Sequence, residues 1–345
     1  MQNITCLLLL FLSVFSCKPK SALTVSELSA TQQIVFLDSI SASKAIITDE
    51  REHFFDKIQS LEMSIQMKKE TVADNRGEVL DDYKAFLQAD TESFTESEKQ
   101  FVAEVFREAY DLTAKVNAAV FPAEIRLIKT KGTHYGNSVY YTRENIIVIP
   151  ANVLEEQNRT AFLQVMLHEI FHIYSRYNAD KRNRLYELIG FKPLEARLVF
   201  PPKLERRLLY NPDGIDVGYY MTVTDKTGNK MQVVPLIYSE KDAYSSEVPG
   251  FFDYVNFNLF PILYEEGNFY DIQTDENGLS PLDLKELPDF FTQIKDNTQY
   301  IIHPDEILAD NFAYVILAEK KEGKFKGYSP EGTWLLLEIR QILRE

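Results

Sequence analysis

Through residues 26–118 apolar side chains recur at three- and four-residue intervals, in stretches rich in Glu, Lys, Ala and Leu. That period predicts helices, and no proline interrupts it between Pro19 and Pro122. Thr95 and Glu98 precede Phe101, Val102, Val105 and Phe106, the spacing of a capping box that opens an amphipathic helix. Near Gly77 the pattern weakens, which predicts a turn between two helices. These apolar stripes are read as core packing. After Pro122 the pattern changes to β-branched and aromatic runs at 125–129 and 138–149, a strand, a turn at 142–145 and a second strand. A helix is expected over 160–177 and a hairpin over 217–239, turning at 226–229. Residues 251–273 are dense in Phe and Tyr with few periodic cues and read as irregular strands or a cleft wall. Pro304 opens a helix to about 321, and Pro330 precedes a last helix through 344.

The first residues follow other rules. Residues 7–15 are an apolar run, too short to span a bilayer as a helix of roughly 20 residues but suited to a signal-peptide core. Val14, Phe15, Ser16 and Cys17 resemble the bacterial lipobox, in which a small residue precedes a cysteine that is lipidated. The expected organisation is a signal peptide (1–16), a lipidated N-terminus and tether (17–25), a helical region (26–118) and a catalytic domain (119–345) with an inserted β and aromatic region at about 195–300. This places the protein in a bacterial cell envelope, as a periplasmic or outer-membrane lipoprotein held only by its lipid. An ordinary cleaved signal with a chance cysteine is the competing reading. Replacing Cys17 with Ser should release the protein from membranes.

Hydrophobic residues at 45% and charged ones at 26% fit a globular protein, and the formal charge of −15 repels phosphate backbones, so no nucleic-acid partner is expected. Neither a Gly-rich phosphate loop nor a GxSxG elbow is present, which leaves nucleotide and serine-hydrolase chemistry without support. The only cysteines are Cys6 and Cys17, so the body of the chain has no disulfide, thiolate metal site or cysteine nucleophile.

Chemistry concentrates at His168, Glu169, Ile170, Phe171 and His172. Two histidines four apart share a helix face, so both imidazoles can point at one ion. Glu169 can reach a water beside that ion. The flanks are uncharged and bulky, as a buried helix requires. A catalytic zinc needs a third protein ligand, and Glu306 is the best candidate, 134 positions after His172. Pro304 suits the first helical position, and Glu306 and Asp310 follow as i and i+4. Asp310 could then accept a hydrogen bond from His168 or His172. Glu187 and Glu195 lie closer in sequence, but neither has an acid four residues on.

In these residues the sequence resembles the gluzincins, the thermolysin-like branch of zinc metallopeptidases, whose HExxH is followed later by a helix carrying ExxxD. His168, Glu169, His172, Glu306 and Asp310 match one by one. The resemblance implies one Zn2+ ion, a zincin-like core of sheet, active-site helix and C-terminal helices, with its cleft beside an edge strand, and hydrolysis of a peptide or protein substrate. The fold expected is thus α+β, a zincin-like core preceded by a helical region. The longer gap between the two motifs than in thermolysin requires an insertion near 195–300.

Glu169 is the expected general base, passing a proton from the attacking water to the leaving amine. His303 either stabilises the oxyanion or caps the helix, and Tyr300 and Tyr314 are further candidate donors. His53 and His134 read as surface or packing residues. The alternative function is a lipid-anchored binding or assembly protein that keeps the scaffold without turnover, and cleavage of a non-peptide amide is a third reading.

Overall fold

The computed structural model describes residues 23–70, 75–154, 159–215 and 217–345. The signal-peptide and Cys17 readings fall outside the described residues. Strands, not helices, come first: β1 (Thr24–Glu27) pairs antiparallel with β2 (Gln33–Phe36). The expectation that 26–118 is helical therefore fails at its start, and the tether cannot extend to 25, because Thr24 is already in register with Phe36. A four-residue apolar run is too short to display a period. Only its partner strand decides it.

Four helices follow, α1 (Ser39–Ala45), α2 (Phe54–Lys57), α3 (Ser60–Met67) and α4 (Arg76–Asp90), then the two-residue β3 (Thr91–Glu92). Gly77 lies in the first turn of α4 rather than between helices. The long α5 (Glu96–Asn117) opens with the expected box: Thr95 Oγ1 accepts from the Glu98 N–H and the Glu98 carboxylate accepts from the Thr95 N–H.

Next come β4 (Glu124–Thr130), β5 (Tyr141–Arg143) and β6 (Ile146–Pro150). The first sheet has the order β1-β2-β4-β6-β5, with β3 against the end of β4. β2, β4 and β6 run parallel, and β5 is an antiparallel edge strand. Side chains alternate between two cores, as the pleat demands. Ile34, Phe36, Ile125, Leu127, Ile147 and Ile149 join α5 and α6 (Arg159–Tyr177) in the larger one. Val35, Ile128, Ile146 and Val148 join α1 to α4 on the other face. Each fully buried side chain contributes about 1.5–3 kcal/mol, so a one-residue slip of β6 would exchange two apolar pairs between cores.

The remaining elements are α7 (Ala179–Leu188), β7 (Phe191–Pro193), β8 (Arg197–Val199), α8 (Pro202–Glu205), β9 (Tyr219–Thr224), β10 (Lys230–Tyr238), β11 (Asn256–Glu265), β12 (Phe269–Ile272), α9 (Pro288–Ile294), α10 (Pro304–Ala318) and α11 (Pro330–Arg344). A second six-stranded sheet, β7-β9-β10-β11-β12-β8, fills the inserted region. The aromatic stretch read as irregular is the regular hairpin β11–β12. One face of this sheet has its own core around Val234, Leu236, Phe260 and Ile262. The other sends Tyr219, Met221, Val223, Val233 and Leu259 into the main core. The chain is thus mixed α+β with two sheets. No helix among the described residues is long and apolar enough to cross a membrane.

Candidate metal centre

α6 is apolar nearly all round, with Phe162, Leu163, Met166, Leu167, Ile170 and Phe171 all buried, the mark of a helix inside a core. His168 and His172 emerge one turn apart toward α10, their ring centroids 4.7 Å from each other. α10 is equally buried. Its N-terminus is fixed by Pro304 at the first helical position and by the His303 Nδ1, which accepts from the Asp305 N–H at 3.1 Å. Asp305 and Glu306 then occupy the first turn, where the exposed N–H groups and the helix dipole favour carboxylates.

The two helices run antiparallel, because His168 meets Asp310 while His172 meets Asp305. His168 Nδ1 lies 2.9 Å from Asp310 Oδ1, and His172 Nδ1 lies 2.7 Å from Asp305 Oδ2. Each Nδ1–H donated to a carboxylate leaves its ring with a lone pair on Nε2. Both Nε2 atoms converge on one oxygen: Glu306 Oε2 is 2.9 Å from His168 Nε2 and 3.5 Å from His172 Nε2. Ligands about 2.0–2.1 Å from a tetrahedral zinc stand about 3.3 Å from one another, and the observed spacings bracket that value. The buried His172 Nε2 has no hydrogen-bond partner among the described residues. The donor set fits a divalent cation.

Electrostatically the site carries a surplus of negative charge, which favours any cation, a proton on the imidazoles included. Glu169, Asp213, Asp305 and Glu306 are buried carboxylates. Burial alone lowers a histidine, yet Asp310 and Glu306 overcome it and raise His168 to about 10. Burial opposes ionisation of Glu306, but His172 and His168 hold its carboxyl well below the usual range. Burial, then Asp213, push Glu169 up to about 8, and its Oε2 is buried without a partner. Among the described residues two groups could hold a metal ion: His168, His172 and Glu306, and a second that shares His172 with Glu169 and Asp213.

An open cleft of about 430 Å3 exposes this centre, lined by His168, Glu169, Asp213, Glu306, Asp310 and Tyr300 among others. Tyr300 stacks on the His168 ring, with centroids 6.0 Å apart and planes at 20°. His303 is not in this cleft. It caps α10, and its ring lies against Gly214, where an added Cβ would come within 2.5 Å of it. The oxyanion role considered for His303 is thus not supported by its position, since an N-capping Nδ1 faces its own helix. Glu187 and Glu195 are exposed and belong neither to a metal-holding group nor to the cleft lining. Tyr314 packs on Tyr328. His134 is buried between Asp90 Oδ2, at 2.7 Å, and the Tyr141 hydroxyl, at 3.1 Å, so it is a packing residue, and His53 is an exposed residue at the start of α2.

Three contributors escaped sequence reasoning. Asp305 holds His172 and also accepts from Ser175 Oγ at 3.0 Å and the Tyr186 hydroxyl at 2.7 Å. It stands five residues before Asp310, off the three- and four-residue repeat of a shared helix face, so spacing gave no signal for it. Asn211 donates to Glu306 Oε1, and Asp213 accepts from both the N–H and Oγ1 of Thr142. No spacing rule announces these two, which arrive on a loop of the inserted region.

No protein-family model, curated protein or solved structure matches the chain. The site must be read from its own atoms.

Proposed function

We propose that the protein is a zinc-dependent metallopeptidase of zincin-like build, held in the bacterial envelope through a lipid on Cys17. The observation that carries the reading is the convergence of two imidazole Nε2 atoms and the Glu306 carboxylate, with both Nδ1 atoms committed to acids and an unpartnered Glu169 oxygen beside them. His168, His172 and Glu306 would hold the ion. Zinc, when bound, supplies a Lewis acid that polarises the scissile carbonyl and makes water nucleophilic near neutral pH.

The rest is done by side chains. Asp305 and Asp310 fix the imidazole tautomers, and Asn211 fixes the outer oxygen of Glu306. Glu169 takes a proton from the attacking water and returns it to the leaving amine. Tyr300, on the cleft wall against His168, is the better placed oxyanion donor now that His303 lies elsewhere. The presence of Glu169 also weighs against a purely structural or assembly role, which has no use for a base.

The test is elemental analysis paired with cleavage of unstructured casein. One zinc per chain is expected. Glu169→Gln should keep the zinc and lose chelator-sensitive cleavage, while His172→Ala should lose both. Full cleavage by Glu169→Gln would refute the mechanism.

A further inference from the structure

The loop that carries Asn211 and Asp213 does more than brace Glu306. β5 is the free edge of its sheet, and the cleft runs beside Val139 and Tyr140, just before it. At Thr142 the outward N–H is already donated to Asp213 Oδ1, and the Thr142 hydroxyl donates to the same oxygen at 2.9 Å. One residue pair further, Arg176 NH1 donates to the Glu144 carbonyl at 2.9 Å, and Arg176 NH2 holds the Asp213 carbonyl at 3.1 Å. An extended peptide laid along this edge therefore meets a wall at Thr142, since the ladder groups it would need are taken.

A carboxylate stands at that wall. Asp213 is 92% buried, its relative exposure being 8%, yet it lines the cleft. Both Thr142 bonds fall on Oδ1, and the neighbouring Glu169 Oε2 is buried with no hydrogen-bond partner among the described residues. A ligand atom of Asp213 lies within 4.8 Å of both a Glu169 oxygen and a His172 ring nitrogen. Among the described residues no Lys or Arg lines the cleft, whereas Glu169, Asp213, Glu306 and Asp310 do. A substrate carboxylate has nothing to pair with here; a substrate cation does. In a peptide the amino nitrogen and the carbonyl oxygen of one residue are about 3 Å apart. A first residue whose carbonyl lies at the histidines thus places its ammonium within reach of Asp213.

We infer that the cleft binds a peptide by its free amino terminus, with the α-ammonium group on Asp213, and releases the first residue instead of cutting inside the chain. The inference rests on the metallopeptidase reading and narrows it. Water adds across the first peptide bond, the carbonyl carbon gaining its hydroxyl and the leaving nitrogen its proton. The products are one free amino acid and a peptide shorter by one residue. The loop's seat on the His303 ring, through Gly214, keeps the acid at the closed end.

The experiment uses the zinc-loaded full-length protein and two pairs of probes. Phenylalaninamide and N-acetylphenylalaninamide are compared by calorimetry. One unstructured peptide, with its N-terminus free or acetylated, is followed by mass spectrometry. A charge-assisted contact predicts about 10–100-fold tighter binding of the free amine, with stepwise loss of single residues from the free peptide. In Asp213→Asn, which keeps an acceptor for Thr142, that preference should fall to about threefold or less with zinc content unchanged. Internal cleavage of the acetylated peptide at a comparable rate would overturn the inference and leave a metallopeptidase standing. An undiminished preference in Asp213→Asn, or binding of neither amide, would also overturn it. Absence of any bound zinc would sink the metallopeptidase reading along with it.

Discussion

Asp305 offers a sharp test of the proposed metal centre because it would act on an ion there only through His172. Its Oδ2 accepts from His172 Nδ1 at 2.7 Å and from Ser175 Oγ at 3.0 Å, and its Oδ1 from the Tyr186 hydroxyl at 2.7 Å. Asp305→Asn can keep its carbonyl oxygen toward His172 and turn its NH2 to the Tyr186 oxygen, which can accept. The tautomer survives, and only the charge is lost. Asp305→Ala strands the His172 Nδ1–H and the Tyr186 hydroxyl, while Ser175 retains the His172 carbonyl at 3.2 Å. Two stranded donors cost about 2–6 kcal/mol of stability. Nothing then keeps the proton on Nδ1, and a proton on Nε2 blocks the metal lone pair. Loss of such a partner typically weakens metal affinity 10–100-fold, about 1.4–2.8 kcal/mol. Competition against a chromophoric chelator at fixed pH should place Asp305→Asn near the lower figure and Asp305→Ala near the upper. Melting curves with and without zinc separate the stability loss from the affinity loss. A zinc Kd for Asp305→Ala within twofold of wild type, with its stability lowered as expected, would refute the role given to Asp305.

Glu62 is buried among Gln66, Tyr210, Arg143 and Tyr135; burial raises it from 4.5 to about 8, more than those neighbours lower it. A raised carboxyl stabilises the fold below its unfolded value and loses that contribution as pH climbs toward 8, at about 1.4 kcal/mol per unit. Urea unfolding from pH 5 to 8 should therefore show wild type losing stability relative to Glu62→Gln; parallel curves would exclude it. Phe171→Ala removes a ring packed 5.5 Å from Phe312, centroid to centroid, behind the histidines, and should cost about 3–5 kcal/mol by the same method. Thr95→Ala breaks the capping box of α5 and should cost about 0.5–2 kcal/mol, a smaller value than Phe171→Ala in any event. Tyr300→Phe should lower kcat by about 10²–10³ with little change in KM, and an unaltered kcat would remove Tyr300 from the reaction.

The elements readable from sequence were those whose local signal and tertiary surroundings agree. α5 announced itself by its capping box and stripe, α10 and α11 by Pro304 and Pro330, and the β5–β6 and β9–β10 hairpins by β-branched runs around turn residues. β1 and β2 were missed because four residues cannot show a period, and β2 is a strand only because β4 lies beside it. The β11–β12 hairpin has Phe and Tyr on both faces, which erases the alternation that marks a half-exposed strand. At the site, His168, His172, Glu306 and Asp310 stand where helical spacing puts them, whereas Asp305, five residues before Asp310 on the same helix, matches no helical repeat. Spacing could not place Asn211 and Asp213 either. They belong to a loop whose path depends on the insertion, on the His303 ring and on Thr142 at the sheet edge.

Two ways exist to neutralise the carboxylates around His172, and the geometry separates them. If both imidazoles were cationic, each Nε2–H would need an acceptor. His168 has one in Glu306 Oε2 at 2.9 Å, but the same oxygen is 3.5 Å from His172 Nε2, which forms no hydrogen bond. A proton at that buried nitrogen would be an unpaired charged donor, among the most costly groups to bury. A divalent ion needs no such donor geometry. Bound there, it would take the lone pairs of both Nε2 atoms and of Glu306 at once, and would supply in one place the positive charge that Arg176, committed to Glu52, Thr142 and the Asp213 carbonyl, does not bring to the imidazoles. The antiparallel pairing of α6 and α10 makes this possible. It sets an acid behind each histidine and a third acid between them, so a single helix contact assembles the donors and the partners that orient them.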